Sequence, residues 1–362
     1  VRISLHMIVR NAESKLGRTL NSVKSFVDEM IIVDTGSTDG TKAVAEMYGA
    51  QVFDYEWNDD FSAARNYALS KTTGDWVTWF DAGDVLTPES IARFEWIREQ
   101  PVMTDPNSTV NYIVGFLNRN YDEFGNVYTL HATPRLIRKS ADPNWIMPIH
   151  EAPVVGEPIS HVERGLIVDD PEGQLSVATD RNLRIIEKYL AINDVNHDRY
   201  KYLRARELEL LERYEEAVVD ADKIGELELD SGSAGDYYLV VGRSFGKLGI
   251  VEKQKEMLLK ASAHLPELPT PFFLLGEIEY EVGNWRKAIP FYQAASGDNR
   301  KQPAWVAIVP HHTYQPLERL ANCYLALGEM DLANQFFALA IAEAPPGVRE
   351  RIIASVPKSE GK

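Results

Sequence analysis

The sequence predicts two folded parts: an N-terminal α/β domain on a mostly parallel, Rossmann-like sheet, and an all-α C-terminal domain of helical hairpin repeats. Three observations carry this. At 362 residues the chain exceeds what one hydrophobic core usually serves. Over roughly the first hundred residues, short apolar runs alternate with helical periods, the pattern of parallel strands joined by helices. From about residue 198 onward the pattern is helical only, and it repeats.

The strands and helices of the first part follow in order. Residues 3–9 form a short apolar run, read as a strand and not a signal peptide, since no small-residue cleavage site follows. Leu16, Leu20, Val23 and Val27 make one stripe of a helix over 14–27. The run 30–33 is a buried strand ending at Asp34, and after the turn at 35–38 a helix begins at Asp39 and stops at Gly49. Residues 51–55 are a third strand, and Asp60 is placed to cap a helix over 61–69. Residues 76–80 are a fourth strand, ending at Asp81. Open α/β sheets bind ligands at the carboxyl ends of their strands, where Asp34 and Asp81 both fall. Segments 111–118 and 127–138 read as a hairpin with a longer loop at 122–126. Residues 141–175 are rich in Pro and Gly and read as irregular, with the domain boundary near 170–180.

In the second part, Leu248-Gly249, Val282-Gly283 and Leu327-Gly328 hold the same place in three similar segments. The spacings are 34 and 45 residues, and an insertion of 11 around 297–311 explains the longer one. Ala288 and Ala333 recur at matching places after the glycines, and residues 212–217 give an earlier copy without Gly. A 34-residue period with small residues at helix crossings is the signature of tetratricopeptide (TPR) repeats, and four hairpins share a continuous core. The expected division is an α/β domain over 1–175, a linking helix over 176–197, repeats over 198–345 and a tail over 346–362.

A net charge of −16 argues against nucleic acid or an anionic membrane as partner. No apolar stretch approaches the roughly 20 residues that span a bilayer. The single cysteine, Cys323, fits a reducing compartment, and a cytoplasmic location is expected. Cys323 lies in the apolar stripe of the repeats and reads as a small buried hydrophobe.

The segment from Asp34 to Thr41, Asp-Thr-Gly-Ser-Thr-Asp-Gly-Thr, holds the densest chemistry. An acid at a strand end can accept hydrogen bonds from a base or from ribose hydroxyls, and the same segment also serves as a plain strand-turn-helix connection. Together with Arg10-Asn11-Ala12-Glu13, Trp57 to Asn66, and Trp79-Phe80-Asp81-Ala82-Gly83-Asp84, it resembles the GT-A fold inverting glycosyltransferases, in the TPR-fused subgroup similar to bacteriocin S-glycosyltransferases. The resemblance covers about 1–170, and the repeats extend it to about 345.

The resemblance implies transfer of a sugar from a UDP-linked nucleotide sugar, with inversion, to a protein or peptide acceptor held by the repeats. It implies that Asn11, Glu13, Asp34, Gly36, Ser37, Asp39, Arg65, Asn66 and Asp81 line the donor pocket. Asp81, Asp84 and His150 would bind Mn2+ or Mg2+, and Asp84, Glu151 and Asp169 are candidate catalytic groups, with Asp170 beside the last. One position departs from the pattern. The usual second Asp of the Asp-x-Asp motif is Gly83, and Asp84 follows it. In an extended strand 81 and 83 share a face while 84 points away. Either Gly83 lets Asp84 turn inward, or the site has one ligand fewer. Arg65 has a plainer alternative as a surface partner of Asp59 or Asp60, and Asp84 as a turn or capping acid. Two other functions stay open: a TPR scaffold with a degenerate GT-A domain, and a transferase building polysaccharide. His311 and His312, with Trp305 and Tyr314 nearby, read as a solvated loop or an acceptor-binding rim.

Overall fold

The computed structural model describes residues 1–105, 107–121, 126–156, 160–170, 180–192, 197–221, 229–296 and 307–357; the side chains of 112–121, 128–132, 160–166, 169–170 and 307 are outside the description. Trp305 and most of the loop at 122–126 therefore lie outside the described residues. The chain divides into two compact units, Val1–Ser176 and Val177–Lys362.

In the first unit β1 (Ile3–Val9), α1 (Glu13–Val23), β2 (Glu29–Asp34), α2 (Thr41–Met47), β3 (Gln51–Asp54), α3 (Phe61–Ser70) and β4 (Trp76–Trp79) alternate as the apolar runs predict. β1 lies between β2 and β4, and all three are parallel, with β3 outside β2. Val9 pairs with Asp34 and His6 with Trp79, so β2 and β4 end on either side of β1 at one edge of the sheet. Along β1, Ile3, Leu5, Met7 and Val9 enter a core with Leu16 and Leu20 of α1 and with Phe26 and Phe94. Alternation places Ser4 and His6 on the other face, and they are buried too. A sheet buried on both faces explains why its strands read as nearly continuous apolar runs. Each fully buried Leu, Ile, Met or Phe contributes roughly 1.5–3 kcal/mol.

Beyond β4 come β5 (Val85–Leu86), α4 (Pro88–Arg98), the short α5 (Pro101–Thr104), then β6 (Tyr112–Tyr121) and β7 (Val127–Arg138) as the expected antiparallel hairpin. β8 (Asn144–Ile146) and β9 (Ala152–Val154) form a separate antiparallel ribbon. β10 (Ser160–Asp170) runs parallel to β6 and antiparallel to β5, giving the order β3-β2-β1-β4-β7-β6-β10-β5. The stretch read as irregular thus contains three strands. The pairing of β10 shifts between Val162 and Leu166, so no period-two alternation runs through it to reveal a strand.

The second unit is helical. α6 (Asp180–Ala191) packs through Leu183 on Leu208 of α7 (His197–Leu210) and on Ala217 of α8 (Tyr214–Ala217). α9 (Ser231–Lys247) pairs with α10 (Val251–His264), α11 (Pro269–Glu281) with α12 (Trp285–Ser296), and α13 (Tyr314–Ala326) with α14 (Met330–Glu343). Gly249, Gly283 and Gly328 turn these hairpins at φ 71, 76 and 77°. In each, the next residue's N–H bonds the carbonyl five residues back: Ile250 to Phe245, Asn284 to Glu279, Glu329 to Tyr324. This is the helix-ending motif that glycine permits. The Gly-less copy makes the same turn: Arg213 N–H bonds the Leu208 carbonyl, and Glu212 takes φ 58°. Ala288 and Ala333 are fully buried at the crossings. Residues 346–355, in the stretch expected as a tail, form α15 (Pro346–Ser355), whose Ile352 packs with Phe337 and Ala340. Among the described residues no helix is long and apolar enough to cross a membrane.

Candidate active site

Two loops meet at the sheet edge where β1 and β2 end. Asp34 is fully buried, and its carboxylate accepts the N–H groups of Gly36 at 2.9 Å and Ser37 at 2.7 Å. Asn11 donates its N–H to the Ser37 hydroxyl at 2.8 Å, and its side-chain oxygen accepts the Thr38 N–H at 2.8 Å. Glu13 accepts the Gly40 N–H at 2.9 Å and gives its own N–H to Asp39 at 3.2 Å. Asp39 also accepts the Thr41 hydroxyl at 2.5 Å, which holds its carboxyl below the usual range. Asn11, Glu13, Asp34, Ser37 and Asp39 therefore come together as expected in place, but they bond one another. Asp34 shapes the loop from inside, as the plain strand-turn-helix reading of this segment also has it. The exposed rim includes Arg10, Asn11, Glu13, Gly36, Thr38 and Asp39.

A second cluster forms where β4 ends. Asp60 caps α3 by accepting the Ala63 N–H at 2.9 Å. That sets Arg65 on the buried side of the helix, with its side chain 5% exposed. Arg65 donates through Nε to Glu151 at 2.6 Å and through Nη2 to Asp81 at 2.9 Å. Its guanidinium lies over Trp79 at 4.8 Å and Trp145 at 4.6 Å. It is not a surface partner of Asp59 or Asp60. Burial works to lower the Arg65 pKa, and the charges of Asp81 and Glu151 outweigh it and hold it above the ordinary value. Glu151 reaches the site because its segment is strapped to α3. The Asn66 carboxamide donates to the Trp145 carbonyl and accepts the Trp145 N–H, both at 2.8 Å, and the Phe61 N–H bonds the Pro148 carbonyl at 2.9 Å. Asn66, expected in the donor pocket, is this strap. Met147 and His150 take φ 74 and 51° on the same segment. Such backbone strain in bulky residues concentrates at functional sites.

Asp81 and Asp84 part company. The Asp84 N–H bonds the Asp81 carbonyl at 3.1 Å, and the Asp81 N–H bonds the Asp84 carboxylate at 3.0 Å. Gly83, at φ 122°, permits this tight turn, and its N–H bonds the Thr19 hydroxyl at 2.9 Å. Asp84 does turn inward, but into the protein, where Arg135 holds it at 2.5 Å. Burial and the Asp81 charge raise the Asp84 pKa against the pull of Arg135. Partial loss of water would raise that of Asp81, and Arg65 and then Arg135 pull it below the usual range. The Asp81 side chain is 56% exposed. Asp84, which the resemblance implies as a metal ligand and catalytic group, lies buried as the internal partner of Arg135. Among the described residues no three His, Cys, Asp or Glu side chains are grouped to hold a metal ion. His150 is half-buried beside Glu151. The backbone of Asp169 pairs with Val85, next to the Asp81–Asp84 turn, and Asp170 pairs with Asn120. Their side chains lie outside the description.

Sequence reasoning missed two residues here. Arg135 is buried with its guanidinium over the Trp79 ring at 4.1 Å. The available signal was an arginine set among Pro134, Leu136 and Ile137 in a strand. His6 lies in the apolar run of β1, edge-on to Trp145 at 6.0 Å, with Nδ1 unpartnered among the described residues. Burial, with the nearby charge of Arg65, lowers its pKa from 6.5 to about 3.

Residues 4–145 match the family described as Glycosyl transferase family 2. A TPR repeat-containing protein of Synechococcus elongatus is 37% identical over 150 residues, 41% of this chain and 35% of that protein. An uncharacterized glycosyltransferase of Rickettsia felis is 38% identical over 96 residues, 26% of this chain and 34% of that protein. The SPbeta prophage-derived glycosyltransferase SunS of Bacillus subtilis is 25% identical over 226 residues, 60% of this chain and 51% of that protein. The matches span from 34% to 51% of these relatives' lengths. Residues 4–145 thus match glycosyl transferase family 2 on a mostly parallel sheet of GT-A type, and a TPR-like helical unit follows.

Proposed function

We propose that this chain transfers a sugar from a UDP-linked donor to a protein or peptide acceptor, with inversion at the anomeric carbon. The main support is the meeting of Arg65, Asp81 and Glu151, from three separate segments, beside the exposed loop rim at the carboxyl edge of the sheet. A departing nucleoside diphosphate gains negative charge as its bond to the sugar breaks, and preorganised positive groups lower that barrier. Arg65 remains charged, and its Nη1 has no partner among the described residues, so a phosphate oxygen would satisfy it. The rim of Asn11, Gly36 and Thr38 would take the nucleoside.

The residues suit a divalent cation, Mn2+ or Mg2+, that draws most of its ligands from substrate and water. Asp81 offers an open carboxylate, with His150 as second ligand, and Asp84 takes no part. When bound, the cation would supply charge to the leaving diphosphate. The base that takes the acceptor proton is assigned to Asp169. Glu151 already accepts a guanidinium N–H from Arg65 and Asp84 one from Arg135, so neither carboxylate is open to the acceptor. The repeats support a polypeptide acceptor, because stacked helical hairpins present extended surfaces to peptides. The lone cysteine, buried and with its pKa pushed up to about 11 by burial, agrees with a reducing, cytoplasmic setting.

Calorimetric titration of UDP with Mn2+ or with EDTA, alongside UDP release from UDP-glucose, tests the reading. Asp81→Asn is expected to weaken UDP binding with Mn2+ at least about tenfold, the loss of a cation ligand, and Arg65→Met to weaken it at least about tenfold, the loss of one charged hydrogen bond. Absence of UDP binding by the unaltered chain under both conditions would end the proposal and leave a helical scaffold.

A further inference from the structure

A cavity of about 300 Å3 lies inside the second unit, between α11, α13, α15 and the 3-10 turn Val309–His312. The turn belongs to the insertion that breaks the 34-residue repeat. His311 reads from the sequence as part of a solvated loop or of an acceptor-binding rim. Its ring stacks on Phe273, with centroids 4.5 Å apart and planes 17° from parallel. Burial, with Arg243 and His312 nearby, lowers its pKa to about 3, so the imidazole is neutral.

The charged groups of the wall are matched in pairs. Glu277 accepts two bonds from Arg319 at 2.8 and 2.9 Å, and Glu318 accepts two from Arg351 at 2.7 and 2.9 Å. Two buried polar atoms are not matched. His311 Nδ1 and Gln315 Oε1 have no partner among the described residues. Buried polar atoms in folded proteins are nearly always hydrogen-bonded, so two orphans on the wall of one cavity point to a ligand that completes them.

We propose that this cavity recognises the uncharged side-chain amide of an Asn or Gln in a polypeptide. The choice of a polypeptide rests on the acceptor reading above. An amide supplies an N–H for Gln315 Oε1 and a carbonyl for an Nδ1–H of neutral His311, a two-point match to the two free atoms. A carboxylate would face Glu277 and Glu318 with both arginines already engaged, and an ammonium would find both carboxylates engaged. A sugar ring brings more hydroxyls than two free atoms can satisfy.

The test uses the full chain and side-chain 15N NMR of Gln315 and His311. The probes are N-acetyl-Gly-Asn-Gly-amide, its Asp and Lys counterparts, and methyl glucoside. The Asn peptide is expected to give saturable shifts at both residues, with the charged peptides at least about tenfold weaker and no response to the glucoside. Gln315→Leu is expected to remove the response without lowering the melting temperature, since it deletes an unsatisfied buried acceptor. No saturable shift with the Asn peptide, equal binding of the Asp peptide, or a response to the glucoside alone would overturn the proposal. UDP titration of the same samples reports on the transferase reading alone, so failure of one is told apart from failure of the other.

Discussion

Arg65 bridges two carboxylates that would otherwise repel each other, and only Asp81 of the two has ready access to water. Arg65→Met should therefore destabilise the first unit by about 3 kcal/mol, the lower end for removing one partner of a buried pair. Arg65→Lys should recover only part, because an ammonium cannot span both acids while lying flat on two indoles. Urea unfolding measures both. Asp34 holds its loop with bonds to two backbone N–H groups, so Asp34→Ala should cost about 1–3 kcal/mol in the same assay. His6 sets a pH dependence. Its pKa is lower folded, about 3, than the ordinary 6.5 of an open chain. Between those values the unfolded chain holds a proton that the folded chain does not, so stability is fully present above pH 6.5 and falls as the pH drops. The slope contributed is about 1.4 kcal/mol per pH unit. His6→Leu should remove that share of the slope between pH 6 and 4.5, roughly the middle of the window; an unchanged slope would show that His6 is not held neutral.

At the scale of elements, the four hairpin turns of the repeats share one hydrogen-bond pattern, and one of them lacks glycine. Glu212 is exposed at φ 58°, a conformation that disfavours a residue with a Cβ. Glu212→Gly is expected to stabilise the second unit by about 0.5 kcal/mol, the relief of strain less the added freedom of the unfolded chain. Gly249→Ala tests the same physics in reverse. An added Cβ there would meet nothing within 4 Å, so a loss of about 1 kcal/mol would come from φ alone. Thermal melts of both variants suffice. These turns were legible because a positive φ writes itself into the sequence as glycine, and their spacing is a local count. The strap between α3 and residues 145–151 was not legible. Asn66 looks like any polar helical residue until Trp145 is brought beside it.

At the scale of the molecule, each unit has its own core: Leu5, Leu16 and Phe94 in the first, Tyr292, Leu320 and Phe337 in the second. Calorimetry should resolve a transition for each. UDP at a hundred times its dissociation constant should raise only the one belonging to the first unit, by about 2.7 kcal/mol. A shift of both together would show that the units unfold as one.

Strand and helix order in the first four strands, the cap at Asp60 and the hinge glycines could be read directly from residue order. They depend on periodicity, turn chemistry and short spacings, which are properties of neighbouring residues. The partners of Arg65 and Asp84 could not. Glu151 lies 86 positions from Arg65, and Arg135 lies 51 from Asp84. Which carboxylate faces which guanidinium depends on how strands stack and which groups lose water. Only the folded chain decides that, because the energy of an ion pair is set by distance and desolvation, and residue order records neither.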